Sequence, residues 1–338
     1  MNIVVIGSTG KYSMETSISN AFNRMGHASN VCDIYDHLPK NRKINSYIRT
    51  IDQIVRKGWG SFDKKSYERF AEKIKKFNPD LIVCISRSIH PIFVSKLKNK
   101  NRKIIHINPD SLFTLGAQNV FASEYDAWFV KDPYMLNFMK NNMKLNTFFY
   151  NEVTDIHLSP KPNEAKHLTE ERIDVDVMTY GTLYPYRNRI LKHLLDSGIK
   201  ISLYGTKPHR FIDENIRKIY TGEFILGERR AEVIYGSKIA LNTLHFAEID
   251  GVNARFFQIN GCGGFQLCDY RPILKELLPV DPELVSYRNT DECIEKVQYY
   301  LNHPQERYNI ADKIYQHSIK HFTFDNLVSY ILSVVETL

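Results

Sequence analysis

The 338-residue sequence predicts an α/β protein with two doubly wound parallel sheets, one in each half of the chain. Three observations carry this prediction. Short apolar runs alternate with helical patterns in both halves, a polar segment with several prolines separates the halves, and the length fits two domains of about 150 residues. We expect a first domain at residues 1–150, a linker at 151–174, a second domain at 175–322, and a last helix at 323–338 that crosses back to the first domain.

The apolar runs of the first domain are short and nearly continuous, which is typical of strands buried on both faces of a parallel sheet. Helical patterns lie between them. The expected order is strand Ile3–Gly7, helix Glu15–Met25, strand Ser29–Ile34, helix Lys64–Phe77 and strand Asp80–Ile85, continuing through Pro91–Leu97, Lys103–Ile107, Ala127–Val130, Pro133–Asn141 and Thr147–Phe149.

The same alternation restarts after the polar segment, so the second domain repeats the architecture of the first. Its first two strands each end in a glycine, Gly181 and Gly205. The expected order is Val175–Tyr180, helix Arg187–Ser197, Ile199–Tyr204, Phe211–Ile219, Glu228–Gly236, Lys238–Asn242, a helix and strand within Asp250–Asp269, and late helices at Asp291–Asn302, Pro304–Lys320 and Phe324–Leu338.

The amino-terminal run lacks the features of a signal peptide, and no run is long enough to span a bilayer. The five cysteines are odd in number and widely spaced, as expected of reduced thiols, so we expect a cytoplasmic protein. The net charge is +7, and basic residues concentrate between residues 40 and 65 beside several apolar ones. That stretch is interpreted either as a solvated helix face or as a surface that touches an anionic membrane from its inner side. Nucleic acid is not expected as a partner.

The first strand is followed by a glycine-rich turn that could line an acceptor or a donor through Gly10, Lys11, Tyr12 and Glu15. An ordinary strand-to-helix turn is the alternative. The spacing fits neither a phosphate-binding P-loop nor the dinucleotide fingerprint, which argues against a nicotinamide cofactor.

Two later strands of the first domain are followed by groups that can move or hold protons. Arg87 and His90 follow one of them, and Asp110 follows the next. Ligands of open α/β sheets bind at the carboxyl ends of strands, so His90 and Asp110 are candidate bases and Arg87 a candidate lining residue. Helix capping and turn formation are the alternatives.

The second domain offers an anion site where the stretch Asp250–Asp269 begins a helix. Gly251, Asn253, Arg255 and Gln258 lie at or near that helix start, where unpaired N–H groups and the helix dipole favour negative charge.

The two glycine-ended strands add further candidates for phosphate. Arg187 follows the first, and Tyr204 and Lys207 accompany the second. The pair Asp174 and Asp176 has Asp-x-Asp spacing but enters a strand rather than leaving one. No metal and no bound cofactor is therefore expected.

With these motifs placed, residues 175–330 resemble glycosyltransferases of the GT-B fold, most closely the CgeB-like group known from spore maturation. The likeness lies in an ordered set of residues. Its members are Gly181, Pro185, Arg187, Tyr204-Gly205, Tyr235–Asn242, Gly251, Asn253, Arg255, Phe257, Gln258, Cys262–Gly264, Asp269, Val285–Glu292, Tyr299–Pro304, Glu306-Arg307 and Ile310-Ala311.

The resemblance implies two Rossmann-like domains that face a cleft, with a nucleotide-sugar donor on the second and an acceptor on the first. In related retaining transferases two glutamates bracket the helix start, one facing the donor sugar and one holding the ribose. Asp250 and Gln258 stand at those places, which leaves a retaining or an inverting outcome open.

The expected function is metal-independent transfer of a sugar to a glycan, lipid-linked or protein acceptor, as in polysaccharide biosynthesis. A sugar-nucleotide epimerase and a non-catalytic nucleotide- or glycan-binding protein stay open as alternatives.

Overall fold

The computed structural model describes residues 1–36, 42–86, 88–110 and 120–338, and of residues 42–46 only the course of the backbone. The chain forms two compact units. Unit 1 comprises Met1–Asn151 together with Phe324–Leu338, and unit 2 comprises Glu152–Thr323. Each unit is built on one parallel sheet, so the predicted α/β class with two sheets is confirmed.

Unit 1 has a six-stranded sheet in the order β2-β1-β3-β4-β5-β6, and every neighbouring pair is parallel. Its strands are β1 (Asn2–Ile6), β2 (Ala28–Cys32), β3 (Leu81–Cys84), β4 (Lys103–Asn108), β5 (Ala127–Val130) and β6 (Thr147–Phe149). Its helices are α1 (Met14–Arg24), α2 (Arg42–Gly58), α3 (Gly60–Lys75), α4 (Pro91–Leu97), α5 (Pro133–Asn137), a π-helical turn (Phe138–Asn142) and α14 (Phe324–Val335).

The core of unit 1 forms around strands β3 and β5, which are apolar at every position. All four residues of β3 and of β5 are buried, and helices cover both faces of the sheet. The last helix, α14, packs against α1, and Arg24 pairs with Asp325 at 2.5 Å. Lys103 donates to the carbonyl oxygen of Leu338 at 2.8 Å. These contacts join the end of the chain to its first half.

Unit 2 has a five-stranded parallel sheet in the order β11-β10-β9-β7-β8. Its strands are β7 (Val175–Gly181), β8 (Ile201–Gly205), β9 (Ser237–Asn242), β10 (Gln266–Asp269) and β11 (Ser286–Tyr287). Its helices are α6 (Lys166–Ile173), α7 (Pro185–Asp196), α8 (Glu214–Lys218), α9 (Gly227–Gly236), α10 (Ala254–Gly261), α11 (Leu274–Leu277), a 3-10 turn (Pro282–Leu284), α12 (Thr290–Leu301) and α13 (Pro304–His321).

The segment expected to be a linker contains helix α6, which packs within unit 2. Glu170 of this helix is buried and pairs with the guanidinium of Arg307 at 2.7 Å. Lys166, one turn earlier, pairs with the same carboxylate at 3.0 Å. A buried carboxylate needs such partners, and they lie far away in the sequence, so composition alone could not indicate this packing.

Candidate functional site

The candidate donor site lies in unit 2, at the carboxyl edge of its sheet. The ends of β7, β8 and β9 and the start of α10 meet there. Arg255 of α10 donates to the carbonyl of Tyr180 in β7 at 2.7 Å and to that of Thr243 after β9 at 3.2 Å. Because ligands of open α/β sheets bind outside the carboxyl ends of strands, this edge is the position where the fold favours a ligand.

Two glycines let β7 and β8 end side by side. Gly181 and Gly205 are register partners with φ of +98° and +110°. A Cβ on Gly205 would lie 2.6 Å from the backbone nitrogen of Gly181, closer than real Cβ atoms approach. Only glycine fits both the backbone conformation and the close contact. Gly205 at the end of β8 is therefore a steric requirement of this edge, and Gly181 at the end of β7 has a positive φ that favours glycine.

The start of α10 is fixed by a network of side-chain amides. Asn253 caps the helix by accepting from the N–H of Phe256 at 3.1 Å, and it exchanges two hydrogen bonds with Asn242 at 3.1 and 3.0 Å. Asn242 also donates to Gln266 at 2.8 Å, and Gln266 donates to Asn260 at 2.9 Å. The sequence places Asn253 at the anion site expected where this helix begins. In the structure its side chain holds the helix start in place.

Arg187 and Arg255 bring two positive charges to the same edge. Arg187 is only 5% exposed, and its guanidinium donates to the carbonyls of Thr182 and Thr243, both at 2.8 Å. Neither arginine forms an ion pair with any carboxylate in the parts of the chain that the structure describes. Direct binding of phosphate by Arg187 stays a prediction, and bracing of two loops is a second role that the sequence did not indicate.

His245, in the loop after β9, is a polar neighbour of this edge that sequence reasoning missed. Its Nδ1 accepts from the N–H of Ala247 at 3.1 Å, so a neutral ring would carry its proton on Nε2. Burial and the positive charge of Arg187 lower the pKa of His245. The ring packs against Tyr184 and Phe246, and Phe246 is 76% exposed. No sequence motif marks this loop, because its role depends on where Arg187 lies.

The remaining donor candidates differ in exposure. Gln258 is half-buried and accepts from the hydroxyl of Tyr180 at 3.0 Å. The side chain of Tyr204 belongs to the apolar core of unit 2. Lys207 is exposed after β8, whereas Asp250 is half-buried and Gly251 is buried before α10. Their direct contacts with a donor stay predictions.

In unit 1 the glycine-rich turn after β1 is held by Glu15. Its Oε1 accepts from the N–H of Ser8 at 2.9 Å, and its side chain packs where a Cβ on Gly7 would lie. Gly10, Lys11 and Tyr12 are exposed. The turn is thus internally braced and presents three of the predicted lining residues at its surface.

The two candidate bases of unit 1 lie after neighbouring strands, β3 and β4. His90 is the N-cap of α4, and its Nδ1 accepts from the N–H of Ile92 at 3.1 Å. This is the capping alternative named above, and it leaves Nε2 for other contacts. Asp110 is exposed, and its main-chain carbonyl accepts from the side chain of Asn108. Arg87 lies outside the described residues.

The two aspartates of the Asp-x-Asp pair have structural contacts within unit 2. Asp176 accepts from Lys238 at 2.6 Å, and Asp174 is the left-handed residue that ends α6. No group of three His, Cys, Asp or Glu side chains arranged to hold a metal occurs among the residues described. In that same part of the chain, no helix combines the length and apolar character needed to cross a membrane.

This chain is similar to one family model and to several known proteins. Residues 187–333 match the model of a family described as glycosyl transferase-like. Spore protein CgeB of Bacillus subtilis (strain 168) is 23% identical over 238 residues, which cover 61% of this chain and 74% of that protein.

Two solved structures share the whole fold. Sucrose-phosphate synthase from Thermosynechococcus elongatus has a TM-score of 0.66 at 10% identity, covering 99% of this chain and 98% of the other. Anabaena HepE, solved in complex with UDP and glucose, has a TM-score of 0.64 at 12% identity, covering 100% of both chains.

The two parallel sheets and these neighbours define the class of protein, which is the GT-B fold. The match of residues 187–333 to the glycosyl transferase-like model and the similarity to CgeB support a glycosyltransferase similar to CgeB. The fold and enzyme class expected from the ordered set of residues are confirmed.

Proposed function

We propose that this glycosyltransferase takes its sugar from a nucleoside diphosphate bound at the carboxyl edge of the unit 2 sheet. The observation that carries the proposal is the pair Arg187 and Arg255, whose charges meet at the Thr243 carbonyl without a carboxylate partner among the described residues. The start of α10 adds N–H groups beside them. Such an arrangement attracts a dianionic diphosphate.

The same groups would stabilise the leaving nucleotide. Negative charge builds on the diphosphate as the bond to the sugar breaks, and fixed donors that already face that position lower the barrier. Arg255, Lys207 and the start of α10 are the groups that we assign to this role. No step in this account requires a metal, so activity is expected to persist in EDTA.

A uridine donor is the first to test, since the similar HepE structure holds UDP and glucose. We assign Gln258 to a ribose hydroxyl and Asp250 to the donor sugar. The Tyr180 hydroxyl donates to the Gln258 side-chain oxygen, and we assign the Gln258 amide NH₂ to the ribose hydroxyl.

The acceptor is proposed to be a glycan, a lipid-linked sugar or a protein in the cytoplasm or at the inner face of a membrane. In an inverting reaction a base must remove the proton of the acceptor hydroxyl. Asp110 and His90 are the candidates. His90→Asn separates the two roles of this residue, because asparagine can still cap α4 but cannot act as the base.

Donor binding is tested by titrating UDP into wild type, Arg255→Met and Arg189→Met. Arg189 is a matched control, since it is an exposed arginine on α7. Loss of a charge-assisted hydrogen bond should weaken UDP about 10- to 150-fold in Arg255→Met and leave Arg189→Met unchanged. Lys207→Met provides a second variant at an exposed position if Arg255→Met unfolds.

Equal UDP affinity in all these variants, or no UDP affinity in wild type, would refute the site. Incubation with UDP-sugar alone then distinguishes the activity. Slow release of free sugar supports a transferase that lacks its acceptor, whereas isomerised donor would show an epimerase instead.

A further inference from the structure

Helix α2 is attached to unit 1 by its polar face. Arg56 donates to Asp63 at 3.1 Å and pairs with Asp52 one turn earlier. Its guanidinium lies 5.7 Å from the ring of Tyr35 and 5.5 Å from the ring of Tyr67. These ionic and cation–π contacts hold α2 to the unit.

A second arginine on the same face adds to this attachment. Arg49 pairs with Asp33 at 3.2 Å and lies 4.9 Å from the ring of Tyr35. Arg49, Asp52 and Arg56 are spaced three and four residues apart, so they share one side of the helix. A helix on the surface of a globular unit ordinarily turns its apolar side inward. Here the charged side faces the unit.

The opposite face of α2 is apolar and exposed. Tyr47, Ile51, Ile54 and Val55 are 74%, 61%, 66% and 36% exposed. Their spacing of four, seven and eight residues places them on one stripe. Trp59, directly after the helix, is 62% exposed. A contiguous exposed apolar surface of this kind is typical of a site that binds a protein or a membrane.

The charge around this stripe indicates the kind of partner. Residues 40–65 contain eight basic and two acidic residues, a large share of the positive charge of a chain whose net charge is +7. Lys57, Lys64 and Lys65 are exposed and form no ion pair with any residue that the structure describes. Lys57 follows Ile54 by one turn, at the edge of the stripe. An uncovered apolar stripe with free lysines beside it fits an anionic surface.

We propose that the apolar face of α2, defined by Tyr47, Ile51, Ile54 and Val55, docks on an anionic lipid bilayer. Aliphatic side chains enter the boundary of the acyl chains, Tyr47 and Trp59 lie at headgroup level, and the lysines contact lipid phosphates. Docking itself requires no nucleotide. If the chain also has the proposed transferase function, docking implies that the sugar acceptor is carried by a membrane, and this part of the inference rests on that function.

The test is sedimentation of the full chain with vesicles of phosphatidylcholine alone or with 30% phosphatidylglycerol. We expect binding to the anionic vesicles that falls steeply between 0.1 and 0.5 M NaCl. Ile51→Ser/Ile54→Ser should reduce partitioning at least tenfold. Lys57→Glu/Lys64→Glu/Lys65→Glu should reduce it about fivefold or more for each charge removed. Leu168→Ser, at an exposed leucine of unit 2, is the matched control and should bind as wild type does.

Two results would overturn the proposal. One is equal partitioning of wild type and both sets of variants. The other is absence of vesicle binding together with a dimer that Ile51→Ser/Ile54→Ser abolishes in sedimentation velocity, which would assign the face to a second copy of the chain. UDP titration is read separately, so loss of the nucleotide site and loss of docking are distinguishable.

Discussion

Replacing Gly205 with alanine tests the steric account of the sheet edge most directly. Gly205 has φ of +110°, where an alanine carries strain of about 1–3 kcal/mol. The new Cβ would also lie 2.6–2.9 Å from the backbone of Gly181, and overpacking of that kind costs about 1–3 kcal/mol. The expected loss in free energy of unfolding of unit 2 is therefore about 2–6 kcal/mol.

A matched control separates the two contributions. Gly222 is also in unit 2 and has φ of +79°, but a Cβ there would meet no heavy atom within 4 Å. Gly222→Ala should therefore lower the free energy of unfolding only by the backbone strain of about 1–3 kcal/mol. The free energies of unfolding of the two variants are measured by urea titration followed by far-UV circular dichroism. The difference between them gives the cost of the steric contact with Gly181. UDP affinity of the folded Gly205→Ala fraction should fall as well, because the strand ends must separate. Equal stability of the two variants would refute the close approach of β7 and β8.

Three further predictions concern buried charge and thiols. Glu170→Gln should lower the free energy of unfolding by about 3–5 kcal/mol, because the buried Arg307 loses its partner. Asp196→Asn, at an exposed pair with Lys192, should cost under about 1 kcal/mol in the same urea titration. Burial lowers the pKa of Lys166 to about 8, which is below its pKa in the unfolded chain. At pH values between these two pKa values the folded state binds fewer protons than the unfolded state, so stability rises with pH. The stability of wild type relative to Lys166→Met should therefore rise by on the order of 1 kcal/mol from pH 8 to 9.5, and a flat difference would contradict the shift. All five cysteines are buried, and burial raises their pKa values, so a thiol reagent should label none in the folded protein and five after denaturation.

The strands could be predicted from the sequence because their signal is local. Runs such as Ile3–Gly7 and Ala127–Val130 are apolar at successive positions, as a strand covered on both faces requires. The glycines that end β7 and β8 were recognisable for the same reason. Asn253 was recognised as belonging to the start of α10, and its place at the N-cap agrees with that position.

The features that could not be predicted depend on partners distant in sequence. Arg187 is a candidate phosphate ligand in the sequence, whereas its burial and its hydrogen bonds to two carbonyls, one of them from Thr243, depend on the fold. The orientation of α2 likewise depends on where Asp33 and Tyr35 meet its arginines. An amphipathic pattern predicts that a helix has two faces and does not say which one packs inward when the polar face has charged and aromatic partners.

Each arginine at the sheet edge has two roles. Its guanidinium holds loop carbonyls in place, and it also gives the site positive charge. A guanidinium has five N–H donors, and bonds to carbonyl oxygens use some of them without cancelling its charge. Arg187 and Arg255 both reach the Thr243 carbonyl, so that one backbone oxygen holds two cations near each other. Like charges repel, and bringing them together costs free energy unless an anion arrives. The loops, the helix start and the glycine pair position this charge, and a bound diphosphate would be what relieves it.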